Sequence, residues 1–187
     1  MYFDVRISNL ERKQLESLIG HQLVAVATDY WSIYIFTDVL DICIIPEEIP
    51  TPDDAHPNAD VTRPKVTESV NGEYETLALD LGTITSVTVL TTVATFSQPK
   101  LRPPLKIGSA TIPEGIQYGL IFSHPSDRSH FNPINSIIDL DIGFEIDTDT
   151  ENRIIIYTDG CGFFTHVALN EKKIAEEILE RTQLLTV

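Results

Sequence analysis

The sequence predicts an α+β fold: a predominantly antiparallel sheet from two meander-containing halves, with one N-terminal and one C-terminal helix packed on it. Three observations predict this. Apolar residues make up 42% of 187, enough to build a core and too much for disorder. Period-two alternation, punctuated by turn residues, recurs along most of the chain. A period near 3.6 is confined to two short stretches, one near each end. The whole chain, 1–187, reads as a single domain.

Tyr2 to Ile7 reads as a short strand. Ser8 followed by Glu11 forms a capping box, so a helix is expected over residues 9–19. Leu15, Leu18 and Ile19 supply its buried stripe and Gly20 its left-handed exit. Leu23–Thr28, Ile33–Thr37 and Val39–Ile45 then read as strands joined by Asp29–Ser32 and Thr37–Asp38. Both parities of Ile33–Tyr34–Ile35–Phe36 are apolar, which predicts a strand covered on both faces. Five of the eleven prolines lie between Pro46 and Pro64, which predicts a long loop over 46–73. Tyr74–Leu81 and Ile84–Phe96 resume strand character, with Gly82 marking a bend. A second proline-rich loop is expected over 98–115, with polyproline-II character and the only basic cluster, Lys100, Arg102 and Lys106. Ile116–Ser123 reads as a strand, and His124–Pro133 as a polar loop. Arg153–Thr158 and Phe163–Leu169 complete a meander through Asp159–Gly160. Asn170 is expected to cap a last helix over 171–182, with a fraying tail.

One pattern recurs. Thr28–Asp29, then Ile33 and Ile35, then Thr37–Asp38 parallels Thr148–Asp149, then Ile154 and Ile156, then Thr158–Asp159. A duplication with halves 1–73 and 74–187 would produce it; shared turn chemistry also would, and is the favoured account.

The clearest alternation runs from Ile138 to Asp149. Leu140, Ile142, Phe144 and Ile146 fall on one parity, and Asp139, Asp141, Glu145 and Asp147 on the other. A regular strand would bury the first row and expose the second as a file of carboxylates. Alternate residues lie about 6.6–6.8 Å apart on a strand, and a cationic partner would relieve the repulsion between them. From Asp38 to Asp60 there are seven further acids and no base. The candidate partner-binding set is therefore Asp139, Asp141, Glu145, Asp147, Asp149, Asp38, Asp41, Asp53 and Asp54, with Trp31 as an aromatic anchor. A solvated sheet face, or an edge guarded by charge, would give the same pattern.

Net charge is −15, which argues against direct nucleic-acid binding and against adhesion to anionic membranes. It favours a basic protein as partner, attracted at long range. The function this composition favours is a non-catalytic binding protein, most concretely an inhibitor or immunity protein that masks a nuclease-type toxin domain. No cofactor is implied. Cys43 and Cys161 make no disulfide framework, and no basic–apolar leader opens the chain, so a reducing cytoplasm is the expected compartment.

The alternative is a metal-binding or hydrolytic enzyme. His124, Asp127 and His130, with Asp139 as a further ligand, could hold a divalent ion, although the spacing matches no established motif. Asp147, Asp149 and Glu151 open like a calcium loop, but Asn152 stands where glycine is needed and Thr158 where glutamate is needed. Cys161 with His166 has no partner that would make an oxyanion hole, and no nucleotide-binding glycine loop or nucleophile elbow is present. A structural or assembly role, in which acidity only maintains solubility, is the third reading.

Overall fold

The structure is a computed structural model, and it describes all residues except 1, 30, 51–59, 69–72, 97–99, 108–109, 113, 118–119, 131–136, 159–164, 172–175, 179, 181 and 187. The fold is mostly antiparallel sheet with little helix. Strand β1 (Tyr2–Val5) leads to helix α1 (Asn9–Glu16), then β2 (Gln22–Thr28), β3 (Ile33–Thr37), β4 (Asp41–Pro50) and β5 (Asp60–Glu68). The 22-residue β6 (Glu75–Phe96) follows, then four short strands, β7 (Lys100–Arg102), β8 (Leu105–Ile107), β9 (Ala110–Ile112) and β10 (Gly115–Gln117). Last come β11 (Leu120–Ser123), a 3-10 helix over Pro125–His130, β12 (Ile137–Thr148), β13 (Arg153–Thr158), β14 (Thr165–Leu169) and β15 (Gln183–Thr186).

The long strand β6 organises the sheet. Its first half pairs with β2, and the order continues β3, β4, β5; its second half pairs with β12, followed by β13 and β14. Between the halves, Asp80 (φ 52°) and Gly82 (φ 97°) take left-handed conformations where the register breaks. A Cβ on Gly82 would sit 2.5 Å from Asp149 Oδ1, so this residue both bends the strand and admits the β12–β13 turn. The two halves share one core. Leu23, Val26, Ile33, Ile35 and Ile42 pack in the same cluster as Val87, Val89, Phe144, Ile146 and Ile156.

At the N-terminus the capping box forms as the sequence predicts: Ser8 Oγ accepts from Glu11 N, and Glu11 Oε2 from Ser8 N at 2.7 Å. The helix stops at Glu16, short of the expected 19; Leu15 and Leu18 are buried, whereas Ile19 is exposed. Both proline-rich stretches depart from the expected loops. β4 runs on through Pro46 to Pro50 and pairs with β5 over nine rungs, with Pro46 opposite Pro64. Two missing donors thus fall at one rung, and the third, of Pro50, falls at the end of the ladder opposite Asp60. The described residues between 100 and 117 are largely paired strand: β7 pairs β10 and β8 pairs β9, beyond the β6–β11 pairing. At the other end Asn170 adopts φ 57° and ties Arg153 N and Asn152 to the end of β14, while residues 172–175 of the expected helix lie outside the described residues. Residues 176–178 are helical, and the tail expected to fray is β15, paired with β6.

Candidate functional site

The carboxylate file does not exist as a surface. Asp139, Asp141 and Glu145 are buried, contrary to the expected exposure, and only Asp147 keeps a substantially exposed side chain. The cause is a bulge. Between Asp141 and Gly143 the β12–β6 register slips by one residue, and an extra residue in a strand exchanges its faces. Asp139 and Asp141 therefore face the same way as Phe144 and Ile146, opposite Val93, Thr91, Val89 and Val87 in turn. Glu145 and Asp147 share the other face with Ile138 and Leu140. Gly143 makes this possible: β13 lies so close that an added Cβ would stand 2.3 Å from the Ile156 carbonyl oxygen.

Each buried carboxylate is met by donors. Asp139 accepts from Arg6 at 2.7 Å and from Arg128. Asp141 accepts from Ile7 N at 2.9 Å and from Thr91 Oγ1 at 2.6 Å. Glu145 pairs with Arg153 Nε at 2.6 Å. Burial pushes the Asp141 and Glu145 carboxyls above their usual range, with their partners offsetting part of the rise. Glu11 shows the opposite balance. Burial would raise its pKa, but bonds from Ser8 and Arg63 outweigh that and the net direction is down. These residues hold the fold together and are not open to a partner.

Of the metal alternative, the side chains of His124, Asp127 and Asp139 are described. His124 Nδ1 lies 2.8 Å from Ser126 Oγ within the 3-10 turn, and Asp127 accepts from the same serine at 3.3 Å. Asp139 is already held by two guanidinium groups. The side chain of His130 lies outside the described residues. Among the described residues, no three His, Cys, Asp or Glu side chains are placed to hold an ion. The Asp149–Glu151 stretch is a turn: Asp149 Oδ1 accepts from Thr83 N at 2.7 Å and Glu151 sits at φ 60°. Cys161, Asp53 and Asp54 lie outside the described residues, while Cys43 is a buried free thiol.

What remains partly open is the outer face of the N-terminal half of the sheet, where Ala25, Ala27, Tyr34 and Cys43 are buried and Thr76, Leu79 and Asp41 are exposed. Paired residues share a face, and two rows cross it: Leu79–Ala25–Phe36–Asp41 and Thr76–Ala27–Tyr34–Cys43. The rings of Tyr34, Phe36 and Tyr74 cluster there, with centroids 5.0 to 6.2 Å apart. Tyr34 is buried beneath, while Tyr74, Leu79 and Trp31 are 48%, 63% and 49% exposed. Asp29 builds the rim. It accepts from Trp31 N, Ser32 N and the Tyr34 hydroxyl, each at 2.7 Å, which fixes the turn that presents Trp31. The bond to Asp29, with burial, pushes the Tyr34 phenol up to about 12. Two hollows flank this turn. One, of about 470 Å³, is lined by Trp31, Ile45, Pro46 and Glu48; the other, of about 480 Å³, by Thr28, Asp29, Glu73, Tyr74 and Glu75.

Of the acids proposed from sequence, Asp41 lies on this face, opposite Phe36. Asp38 is exposed but occupied in closing a turn, accepting from Gln22 N at 3.1 Å and pairing with His21. Glu73, Tyr74, Glu75 and Leu79 were missed. One signal could have found them: from Gln14 to Thr62 there are nine acids and no Lys or Arg, and from Val66 to Pro99 four acids and none. β2, β3, β4 and all of β6 lie within those spans. Comparison with protein-family models, with curated proteins and with solved structures finds no match for this chain.

Proposed function

We propose that this is a non-catalytic binding protein that docks a basic protein on the outer face of the N-terminal half of its sheet. The observation that carries the reading is the pairing of open aromatic surface with strands that contain acids and no Lys or Arg. Trp31 and Tyr74 are the anchors, since large rings at the centre of an interface contribute most of its energy. Asp29, Asp41, Glu48, Glu73 and Glu75 form the anionic rim that would steer and orient cations. The concrete version is an inhibitor or immunity protein that covers the cationic active site of a nuclease-type toxin, acting in the cytoplasm. No helix among the described residues is long and apolar enough to cross a membrane.

The test is capture from the native host followed by association kinetics across a salt series. A basic partner is expected, with association that slows as salt screens the field over a Debye length of about 8 Å at physiological strength. Glu73→Lys with Glu75→Lys should slow association by at least about tenfold and flatten its salt dependence, while Trp31→Ala should mainly speed dissociation. Glu176→Lys, exposed in the C-terminal helical turn, controls for net charge. Equal effects at both places would remove this face from the binding surface.

A further inference from the structure

In its C-terminal half β6 is paired on both edges, by β12 on one and by β15 and β11 on the other. Over Glu75–Leu79 it pairs with β2 alone among the described residues. The second edge is covered only as far as the β12–β13 turn, where Asn152 Nδ2 donates to Leu81 O at 3.1 Å and Asp149 Oδ1 accepts from Thr83 N at 2.7 Å. Past that turn Glu75, Thr76, Leu77, Leu79 and Asp80 are all exposed, Leu77 by 37% and Leu79 by 63%. The edge of β5 is treated differently. Val66 N donates to Glu11, Thr62 O accepts from Thr158 Oγ1, and Pro64, of the same parity, has no donor to offer. Natural edge strands are commonly blunted with Pro or Lys, and Glu75–Asp80 contains neither. Its charges are the acids Glu75 and Asp80, with Glu73 just ahead of them.

We propose that this edge of β6 takes an extended segment of a basic partner as an added strand. In strand addition the main-chain bonds supply affinity and the alternate side chains supply specificity. Here the apolar side chains of the segment lie along Tyr74, Leu77 and Leu79, and its Lys or Arg side chains meet Glu73, Glu75 and Asp80. Leu79 shares a face with Ala25 and Phe36, so the added strand continues the outer face sideways. Leu77 is extra to the β2 pairing, between Ala78 and Thr76, which limits the new ladder to a few rungs and leaves the side chains to contribute the rest. A second copy of this chain is the poorer occupant. It would bring the same three acids against one another, between chains that each carry a net charge of −15.

This mode of attachment rests on the reading of the face as a site for a basic partner, but its test does not need that partner. The probe is a synthetic peptide of alternating Lys and Val, added to the full chain at low ionic strength. Bound peptide should slow hydrogen exchange of the amides in Glu75–Leu79 by at least about tenfold and leave those of β5 unchanged. Two further peptides, N-methylated at every Lys or at every Val, keep charge and apolar surface but each lose the donors of one edge. One of them should bind at least about tenfold more weakly than the parent, and the other should bind nearly as well. Leu77→Lys with Leu79→Lys, both at exposed positions, should weaken binding of the parent peptide to a similar degree, while Leu10→Lys, 70% exposed on α1, controls for the added charge. Native circular dichroism shows that the variants are folded. A peptide that fails to bind at low salt overturns strand addition, as does one whose methylated forms both match the parent or one that slows no amide of β6. A dimer of the chain alone, lost in the Leu77→Lys, Leu79→Lys variant, would give the edge to a second copy and overturn it equally. Each of these outcomes leaves capture of the host partner standing as a separate test of the face.

Discussion

Taking a carboxylate out of water requires donors in its place, and β12 satisfies its acids in three different ways: paired guanidinium groups at Asp139, neutral donors at Asp141, a single arginine at Glu145. Phe144 is fully buried in the shared core, so Phe144→Ala should destabilise by about 3–5 kcal/mol in chemical denaturation. Asp141→Ala should cost about 1–3 kcal/mol, because the Ile7 N–H would stay buried without an acceptor. Asp141→Asn, which keeps an acceptor, should cost less than Asp141→Ala. The pH dependence separates two kinds of buried acid. Asp141 has its folded pKa raised by burial, so its contribution is favourable when protonated and is lost as pH rises from the unfolded value of about 3.9 through the folded one. Glu11 has its folded pKa lowered, so its contribution is present above an unfolded value of about 4.3 and is lost as pH falls through the folded one. Denaturation at a series of pH values should therefore show Glu11→Gln converging on the parent in acid. Asp141→Asn should gain on the parent as pH rises.

At the scale of elements, the segment from β1 through α1 is held by the acids of β12 and the edge of β5. β1 pairs in parallel with β12, Arg6 reaches Asp139, and Ile7 N meets Asp141. α1 is only eight residues, too short to be stable alone, and Glu11 gives it a second attachment by accepting from Val66 N and Arg63. The capping role of Glu11 was legible from its spacing to Ser8. Its grip on β5 was not, since Val66 is 55 residues away. The bulge in β12 was equally hidden. Nothing in Ile142–Gly143 distinguishes a glycine that bends a strand from one that lets a neighbour approach, until β13 lies against it. Gly143→Ala should destabilise by about 1–3 kcal/mol through overpacking, and more if the β12–β13 pairing is lost. Loss of the slow amide-exchange protection of Ile154–Ile156 would be the local signature, and unchanged stability would contradict the close approach.

Across the whole molecule, four of the thirteen cations are turned toward buried acids. Arg6, Arg63, Arg128 and Arg153 all pair with carboxylates that are themselves buried, so the excess of acid is left at the surface. With a net charge of −15, the folded chain repels itself, and moderate salt should raise its Tm by screening that repulsion. A Tm that falls monotonically with added salt would mean that internal ion pairs, and not surface repulsion, dominate the electrostatics. The sequence by itself determined the sheet-rich class, the strands β2, β3 and β13, the cap at Ser8, the bend at Gly82 and the sign of the surface. Each of these depends on period, turn chemistry or composition, which are local or additive properties. Only the tertiary structure decided that Asp139, Asp141 and Glu145 lie inside, that Pro46–Pro50 pairs as strand with β5, and which face stays partly open. Those outcomes depend on one bulge and on strand partners far away in the chain. A one-residue slip reverses a strand's faces while leaving its sequence pattern unchanged.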